Sequence, residues 1–304
     1  MSGARFDSVF RPDLFAGQVF VVTGGGTGIG RCIAHELASL GGAVVLAGRT
    51  LERLEAVRAE IEADGGRAVA QRCDIREASE VDALFSRCLD ELGRVDGLVN
   101  NGGGQFAAPA VAISQRGFRA VVETNLVGTF SMCKQAFESW MSEHGGAIVN
   151  VVADMWRGMP MMAHSGAARA GVVNLTRTLA LEWAQTGVRV NAVAPGIIAS
   201  SGLDNYPEPV KEVLHGLPPK LPAGRLGTES EVSSAVCFLL SPGARYVNGA
   251  TLRIDGGSSL YQHAFEIFPD GATPRYDGFH RRPALSEELA RLVGGESSDP
   301  EGHG

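Results

Sequence analysis

The chain has 304 residues, of which 44% are hydrophobic and 20% charged, a composition typical of a folded globular protein with a sizeable core. Its formal net charge of −7, with no lysine and arginine cluster, argues against nucleic acid as a partner. No apolar run could span a membrane and the charged N-terminal residues are unlike a signal peptide, so we expect a cytoplasmic protein without a membrane partner. The five scattered cysteines lack metal-ligand spacing, which predicts reduced thiols and no metal site.

Strand-like and helix-like segments alternate along the chain. The strands are predicted at 19–23, 43–47, 68–74, 97–101, 147–152, 188–194 and 250–255, and the helices near 28–40, 51–63, 77–92, 114–142, 160–186 and 229–241. Most of the strands are continuous apolar runs, as is typical of strands buried on both faces of a parallel sheet. The alternation predicts an α/β fold, a doubly wound parallel sheet of seven strands (Rossmann type) with right-handed crossovers.

The first strand runs directly into a glycine turn, in the segment Val19-Phe-Val-Val-Thr-Gly-Gly-Gly-Thr-Gly-Ile-Gly30. Glycine permits the tight turn, the close approach of backbone to a pyrophosphate and the packing of helix against strand. The N-terminus of the following helix favours an anion. Because the turn lies between a β-branched strand and an apolar-periodic helix, it predicts a dinucleotide site rather than an ordinary turn. The contacting residues there would be Thr23, Gly24, Gly28, Ile29 and Gly30.

No change of composition marks a second domain. We predict an N-terminal arm over 1–16, a dinucleotide-binding catalytic domain over 17–258, and a C-terminal extension over 259–304 that packs on the surface or on a partner subunit before it frays. Residues 200–227 are rich in proline and glycine, which predicts a mobile loop beside the site. The helices at 114–142 and 160–186 are apolar on more than one side, which predicts a homo-oligomer, most simply a tetramer.

Five sequence elements together resemble the short-chain dehydrogenase/reductase family over roughly residues 15–260. They are Thr23-Gly-Gly-Gly-Thr-Gly-Ile-Gly30, Cys73-Asp74-Ile75, Asn100-Asn101-Gly102-Gly103, Asn125 and Asn191-Ala-Val-Ala-Pro-Gly196, in the family's order. Within the family, four segments look most like the peroxisomal trans-2-enoyl-CoA reductases: Leu98-Val-Asn-Asn-Gly-Gly-Gly-Gln-Phe106, Met132-Cys-Lys134, Ser139-Trp-Met141 and His164-Ser-Gly-Ala-Ala-Arg-Ala-Gly171. Bacterial sequences of similar appearance are often assigned as citronellol or citronellal dehydrogenases, so the resemblance narrows the substrate without fixing it.

The resemblance implies cofactor contacts at the carboxyl ends of the strands. Asp74 would accept a hydrogen bond from the adenine amino group, and Asn100 would pack beside the adenine ribose. Pro195 and Gly196 would shape the turn that brings backbone to the nicotinamide carboxamide. The further cofactor contacts implied are Ile75, Asn101, Gly102, Arg169, Ile197 and Ile198.

The end of the second strand bears on the choice of dinucleotide. An NAD site usually places Asp or Glu there, to hold the ribose hydroxyls. This chain has Leu46-Ala-Gly-Arg-Thr50 instead, so no carboxylate is available and Arg49 offers a guanidinium fork suited to a 2′-phosphate. The position therefore predicts NADP, with a solvent-exposed arginine as the alternative interpretation.

The chain departs from the family at the catalytic residues. The family's carbonyl chemistry uses a Tyr, a Lys four residues later and an upstream Ser, whereas the aligned positions hold Ser165, Arg169 and Val152 or Ala153. Of the usual set, only Asn125 remains. A serine hydroxyl is far less acidic than a phenol, and arginine is effectively never deprotonated, so the usual proton relay cannot operate. Conjugate reduction of an enoyl thioester fits better, because it needs donors at a developing oxyanion rather than a strong acid.

Three residues are candidate proton sources. Asp154 lies on the loop after the fifth strand, where related dienoyl-CoA reductases carry a residue used in place of the Tyr; it could act through a raised pKa or by ordering a water. His164 titrates near neutrality, and Tyr206 lies on the predicted loop. The alternative interpretation is an exposed loop residue for Asp154 and a helix-start residue on the surface for His164.

Two other functions stay open. One is a carbonyl or alcohol dehydrogenase for an apolar, terpenoid-like substrate, with His164 or Asp154 repurposed. The other is a non-catalytic NADP-binding protein, favoured by the missing Ser and Tyr. The nicotinamide end of the site, which is retained at Asn125, Arg169 and Pro195-Gly196, favours an enzyme with a small-molecule substrate such as an acyl thioester.

Overall fold

The computed structural model describes residues 5–200, 203, 214, 216–260, 273–283 and 287–293. These residues do not include Tyr206, most of the first half of the loop predicted over 200–227, or parts of the predicted C-terminal extension.

A seven-stranded sheet with the order β3-β2-β1-β4-β5-β6-β7 forms the centre of the molecule, and every strand pair in it is parallel. The strands are β1 (Val19–Thr23), β2 (Ala43–Gly48), β3 (Arg67–Arg72), β4 (Gly97–Asn100), β5 (Gly146–Val151), β6 (Val188–Pro195) and β7 (Thr251–Ile254). The order reverses between β1 and β4, which places their carboxyl ends at the switch point where such sheets bind ligands. The predicted doubly wound fold is confirmed, with strand ends shifted by one or two residues.

The helices alternate with the strands as predicted. They are α1 (Gly28–Ser39), α2 (Leu51–Ala63), α3 (Ala78–Leu92), α4 (Gln115–Val122), α5 (Gly128–Ala136), α6 (Ser142–His144), α7 (Ala163–Glu182), α8 (Glu229–Leu240) and α9 (Glu287–Leu292). The helix predicted over 114–142 is interrupted by two π-helical turns, Glu123–Val127 and Phe137–Met141. Such turns insert an extra residue per turn and are frequent at functional sites.

Each face of the sheet carries its own hydrophobic core. On one face Val22, Val44 and Leu46 pack with residues of α1, α2 and α8. On the other face Val21 and Val45 pack with residues of α3 and α5. Because successive strand residues point to opposite faces and both faces are covered, most positions of the central strands are apolar.

The described residues beyond β7 fold back onto the domain. Phe279 stacks on Phe6 of the N-terminal arm, with 5.7 Å between ring centroids. Asp64, which follows α2, pairs with His280 at 2.9 Å and with Arg281 at 2.6 Å. None of the helices in the described ranges is long and apolar enough to cross a membrane.

Candidate active site

The glycine turn after β1 is tightly packed. Gly24 has φ +65° and Gly28 has φ +55°, the left-handed region that favours glycine. A Cβ on Gly30 would lie 2.3 Å from the carbonyl oxygen of Gly24 and 2.4 Å from Asn101 Nδ2. Any larger residue would push the turn away from the start of α1. The turn is thus shaped for close approach of a pyrophosphate, as a dinucleotide requires.

The ends of β1 and β4 are tied together by side chains. Thr23 Oγ1 accepts a hydrogen bond from the Gly102 amide at 2.8 Å and donates to the Val99 carbonyl at 3.3 Å. Asn101 Nδ2 donates to the Thr23 carbonyl at 3.0 Å. These bonds hold the backbone at the switch point, so Thr23 and Asn101 act as positioning residues for the dinucleotide cradle.

A cavity of about 160 Å³ lies beside the glycine turn, at the carboxyl ends of β2 and β3. The predicted residues Arg49, Asp74 and Ile75 line it. Arg53 and Arg76 also line it, and the sequence analysis missed both. Their signal in the sequence is only that each follows a strand end within a few residues, as Arg49 does. The positive charge at this end of the site suits a phosphate group.

Asp74 is already paired in this cavity. Arg76 donates to its carboxylate through Nε at 2.9 Å and through Nη2 in a still shorter contact. The hydrogen bond from Arg76 lowers the pKa of Asp74 to about 2. The carboxylate is therefore ionised at neutral pH and neutralises Arg76, so an adenine amino group would have to share its oxygens with that guanidinium.

Asn100 differs from its expected role beside the adenine ribose. Its side chain is buried, and Nδ2 donates to Asn150 Oδ1 at 2.9 Å and to Cys133 Sγ at 3.1 Å. It lines neither cavity of the site, because the last residue of β4 points into the sheet core while the next residue, Asn101, points to the cleft.

A larger cleft of about 660 Å³ lies on the other side of the switch point. It brings together eight of the residues predicted for the site, namely Ile29, Asn101, Asp154, Arg169, Pro195, Gly196, Ile197 and Ile198. The rest of its wall is largely apolar, with Val152, Met159, Met162, Leu203, Leu214 and Leu221. The cleft thus combines polar groups, such as Arg169 and Asp154, with an apolar end.

Arg169 lies in this cleft as predicted. Its Nη1 donates to the carbonyl oxygen of Val151 at 2.6 Å, and a Cβ on Gly103 would lie 2.5 Å from its Nη2. Burial lowers the pKa of Arg169 to about 10, so it stays cationic at neutral pH. Within the described residues it makes no ion pair with a carboxylate. An unpaired, partly buried guanidinium favours an anionic or electron-rich ligand group.

Asn125 lies at the centre of the first π-helical turn and is fully buried. Its Oδ1 accepts from the Gly104 amide at 2.9 Å, and its Nδ2 donates to the Gly104 carbonyl at 3.0 Å. Both polar atoms are therefore occupied by the segment that follows β4. Asn125 fixes the backbone of that segment, and its carboxamide does not line the cleft.

Ser165 is also fully buried, and its Oγ donates to Gln105 Oε1 at 2.7 Å. Gln105 lines the cleft, whereas Ser165 does not. Gln105 was not among the residues predicted for the site, although it lies in the family-like segment 98–106. At this point the cleft is thus lined by the Gln105 carboxamide, to which Ser165 donates.

His164 is fully buried rather than at the helix surface, which corrects the alternative we considered. Its ring packs edge-on against Phe106 with centroids 4.4 Å apart, and its Nδ1 accepts from the Ser165 amide at 2.7 Å. Desolvation lowers its pKa, so it is neutral at pH 7. Since it lines neither cavity, the geometry argues against His164 as the proton source.

Asp154 does line the cleft. Its amide donates to the Pro195 carbonyl at 3.1 Å, and its Oδ2 accepts from Ser258 Oγ at 3.5 Å. The loop after β5 is thereby tied to the end of β6. Of the candidate proton sources in the described residues, Asp154 is the one within reach of a bound substrate.

A buried carboxyl group that we did not predict lies behind the glycine turn. Glu229 begins α8, and a Cβ on Gly28 would lie 3.7 Å from its Oε1. Both of its carboxylate oxygens lack a hydrogen-bond partner. Burial raises its pKa to about 7, against the opposing effects of Arg282 and Arg31. The sequence gives no sign of this, since a glutamate in the first helical turn is usually exposed.

A family model and curated relatives match most of the chain. A family model described as enoyl-(acyl carrier protein) reductase matches residues 24–259. A peroxisomal 2,4-dienoyl-CoA reductase of Danio rerio is 38% identical over 260 residues, 84% of this chain and 86% of the relative.

Solved structures give the same result. A citronellol catabolism dehydrogenase from Pseudomonas aeruginosa is 53% identical, with a TM-score of 0.75 over 84% of this chain and 100% of that one. An actinorhodin polyketide ketoreductase with NADPH is 32% identical, with a TM-score of 0.76 over 80% of this chain and 98% of that one. On the glycine turn, the parallel sheet and these likenesses, the chain belongs to the short-chain dehydrogenase/reductase family of oxidoreductases.

Proposed function

We propose that this protein is an NADPH-dependent reductase of an enoyl thioester of the trans-2-enoyl-CoA type. The observation that carries the proposal is the composition of the cleft. It offers a cation at Arg169, a carboxylate at Asp154 and an apolar end, while the aligned phenol and amine of carbonyl reduction are absent. The similarity to dienoyl-CoA reductases supports the same class of substrate.

The residues present fit a dinucleotide. Gly24, Gly28 and Gly30 leave a cradle that a Cβ would fill, and Asn101 and the Pro195-Gly196 turn border the cleft where the nicotinamide would lie. Arg49, with Arg53 beside it, would bind the 2′-phosphate that distinguishes NADP from NAD. When bound, NADPH supplies a hydride.

The chain's own residues would then do the following. Arg169 binds the nicotinamide ribose and places positive charge near the thioester carbonyl, where negative charge develops as the β-carbon accepts hydride. Asn125 fixes the Gly104 backbone and Ser165 holds Gln105, so both shape the polar end without supplying a proton. Asp154 would order the water that gives a proton to the α-carbon, and bulk solvent would reprotonate that water. This proton and the hydride that the cofactor supplies would together saturate the double bond.

Turnover of a substrate panel tests the proposal. NADPH oxidation is followed with crotonyl-CoA, longer trans-2-enoyl-CoAs, a 2,4-dienoyl-CoA, citronellal and cyclohexanone. We expect turnover of the trans-2-enoyl-CoAs at least tenfold above that of citronellal or the ketone. No turnover of any thioester, with the protein folded and binding NADPH, would overturn the proposal.

The cofactor preference has its own test, because it depends on Arg49. Titration should give tighter binding of NADPH than of NADH, and Arg49→Asp should weaken NADPH roughly tenfold or more while leaving NADH little changed. Arg11→Asp, at an exposed arginine that does not line the cavity, is the matched control and should change neither. Equal or better NADH binding by the unmodified protein would contradict the assignment.

A dehydrogenase for an apolar, terpenoid-like alcohol or aldehyde is the second candidate. It is favoured by the 53% identity to the citronellol catabolism dehydrogenase and by the apolar end of the cleft. Turnover of citronellal or citronellol without turnover of thioesters would establish it. NADPH binding without turnover of any compound in the panel would indicate a binding protein instead.

A further inference from the structure

The described C-terminal residues lie beyond the family match, which ends at residue 259. They comprise 273–283 and 287–293. Arg225, which is buried, donates to the carbonyl of Thr273 at 2.6 Å and to that of Pro274 at 2.9 Å. Glu231 pairs with the same guanidinium. The extension is thus bound to Arg225, which precedes α8 and follows the cleft residue Leu221 by four positions in the sequence.

Further bonds continue along the first of these segments. Thr228 Oγ1 donates to the Tyr276 carbonyl at 2.5 Å, and the Phe279 amide donates to Ser230 Oγ at 3.2 Å. The hydroxyl of Tyr276 donates to the Asp7 carbonyl at 2.6 Å. Residues 273–283 are therefore held both at the start of α8 and at the N-terminal arm.

The end of α9 packs behind the cleft wall. The amide of Leu226 donates to the carbonyl of Leu292 at 2.9 Å. The side chains of Leu292 and Val293 are 7% and 1% exposed, and they form one cluster with Ala199 and Leu226. The partly buried members of that cluster are Ile197, Leu203 and Leu221, and all three line the cleft.

This packing bears on how far the cleft can open at its apolar end. Ile197, Leu203 and Leu221 share one hydrophobic cluster with Leu292 and Val293, which do not line the cleft themselves. In close-packed protein a wall residue recedes easily only where its packing partners give way. A ligand chain that pushed these wall residues back would therefore press on the end of α9.

We propose that the C-terminal extension, through Leu292 and Val293, sets the length of apolar chain that the cleft accepts. This rests on the proposed function, in which the chain is the acyl tail of the thioester. The extension then acts as a specificity-determining wall that the matched family segment does not contain.

Chain-length profiles of the full-length protein test the proposal. The kcat/KM for trans-2-enoyl-CoAs from C4 to C16 is compared between the unmodified protein, Leu292→Ala and Val293→Ala. Because each added methylene is worth a limited, roughly constant factor in an apolar pocket, we expect the ratio of C12 to C4 to rise about fivefold to tenfold in Leu292→Ala and less in Val293→Ala. Leu84→Ala, at a buried leucine of the opposite core that lines neither cavity of the site, is the matched control.

A second readout separates this inference from the proposed function. Equilibrium binding of saturated acyl-CoAs and of linear primary alcohols, C4 to C16, is measured with NADP present. In one outcome, thioesters are not turned over while Leu292→Ala still shifts alcohol binding to longer chains. That result would contradict the proposed reaction and support the proposed role of Leu292 in limiting chain length. An unshifted profile in both Leu292→Ala and Val293→Ala, with the variants folded, overturns the wall; so does a failure of the unmodified protein to bind either series.

Discussion

At the scale of single residues, the site is defined by what replaces the family's acid and base. The structure puts Arg169 in the cleft and gives it no carboxylate partner among the described residues, so its charge is available to a ligand. Ser165 does not line the cleft, but its hydroxyl donates to Gln105, which does. The two substitutions therefore have different consequences, since one residue faces a ligand and the other positions a neighbour.

Removing the Arg169 guanidinium should affect cofactor binding and turnover together. We expect Arg169→Ala to raise the NADPH dissociation constant about tenfold and to lower kcat for enoyl-CoA by a larger factor, because both the ribose contact and the charge near the carbonyl are lost. Titration and steady-state kinetics measure the two effects. Arg177→Ala, at an exposed arginine on the same helix, is the control. Unchanged NADPH binding and turnover in Arg169→Ala would show that the site is misassigned.

The buried Glu229 should make folding stability depend on pH. Its pKa is raised from 4.5 to about 7 in the folded protein, so the protonated form is favoured by folding. That stabilisation is complete below the unfolded pKa and is lost as pH rises through the folded pKa. Relative to Glu229→Gln, the unmodified protein should lose up to about 3 kcal/mol of unfolding free energy between pH 4.5 and 8.

Denaturant unfolding of both proteins at several pH values measures this difference directly. The comparison isolates Glu229 from other buried acids such as Glu36, whose pKa is also raised and which is present in both proteins. If the difference in unfolding free energy between the two proteins stays constant from pH 4.5 to 8, Glu229 does not take up a proton on folding.

Much at the residue scale could be predicted from the sequence and some could not. The glycine turn and the position of Arg49 were predictable because strand, turn and helix patterns fix which end of the sheet they occupy, whereas Arg169 was predicted from the resemblance to the family. The burial of His164 and the pairing of Asp74 with Arg76 were not. Both depend on the distance between side chains, which periodicity does not specify.

At the scale of elements, the π-helical turn Glu123–Val127 positions a residue that holds one border of the site. It places Asn125 so that both polar atoms of the carboxamide meet the Gly104 backbone. The sequence analysis predicted one helix over 114–142, because an inserted residue per turn barely alters the apolar pattern. The strands were easier, since two buried faces leave unbroken apolar runs.

Truncating Asn125 should loosen the segment after β4. Asn125→Ala removes both hydrogen bonds to the exposed Gly104 backbone, each worth about 0.5–1.5 kcal/mol, so we expect a loss of about 1–3 kcal/mol in unfolding free energy and a fall in kcat. Chemical denaturation and kinetics record both. Asn174→Ala, at an exposed position of α7, is the matched control. Full activity and stability in Asn125→Ala would show that Asn125 does not hold the segment after β4 in place.

At the scale of the whole molecule, several large apolar side chains lie exposed. Phe118 and Phe130 on α4 and α5 are 38% and 43% exposed, Leu181 on α7 is 80% exposed, and Tyr246 before β7 is fully exposed. Single exposed apolar residues are common, but such groups on neighbouring helices indicate a protein interface.

We therefore expect a homo-oligomer, most simply a tetramer, with α4, α5 and α7 at one interface. Light scattering at micromolar concentration measures the assembly. Charge introduced by Phe130→Glu should shift it towards smaller species, whereas the exposed charge reversal Arg11→Glu should not. A monomer in the unmodified protein would contradict the expectation.

The position of the transferred hydride tests the central claim most directly. The protein is given NADPH deuterated at C4 of the nicotinamide, with a trans-2-enoyl-CoA in one reaction and citronellal in a parallel one, and the products are analysed by mass spectrometry and NMR. Conjugate reduction predicts a saturated acyl-CoA with deuterium at the β-carbon. Deuterium at the oxygen-bearing carbon of an alcohol formed from citronellal, with no labelled acyl-CoA, would contradict it.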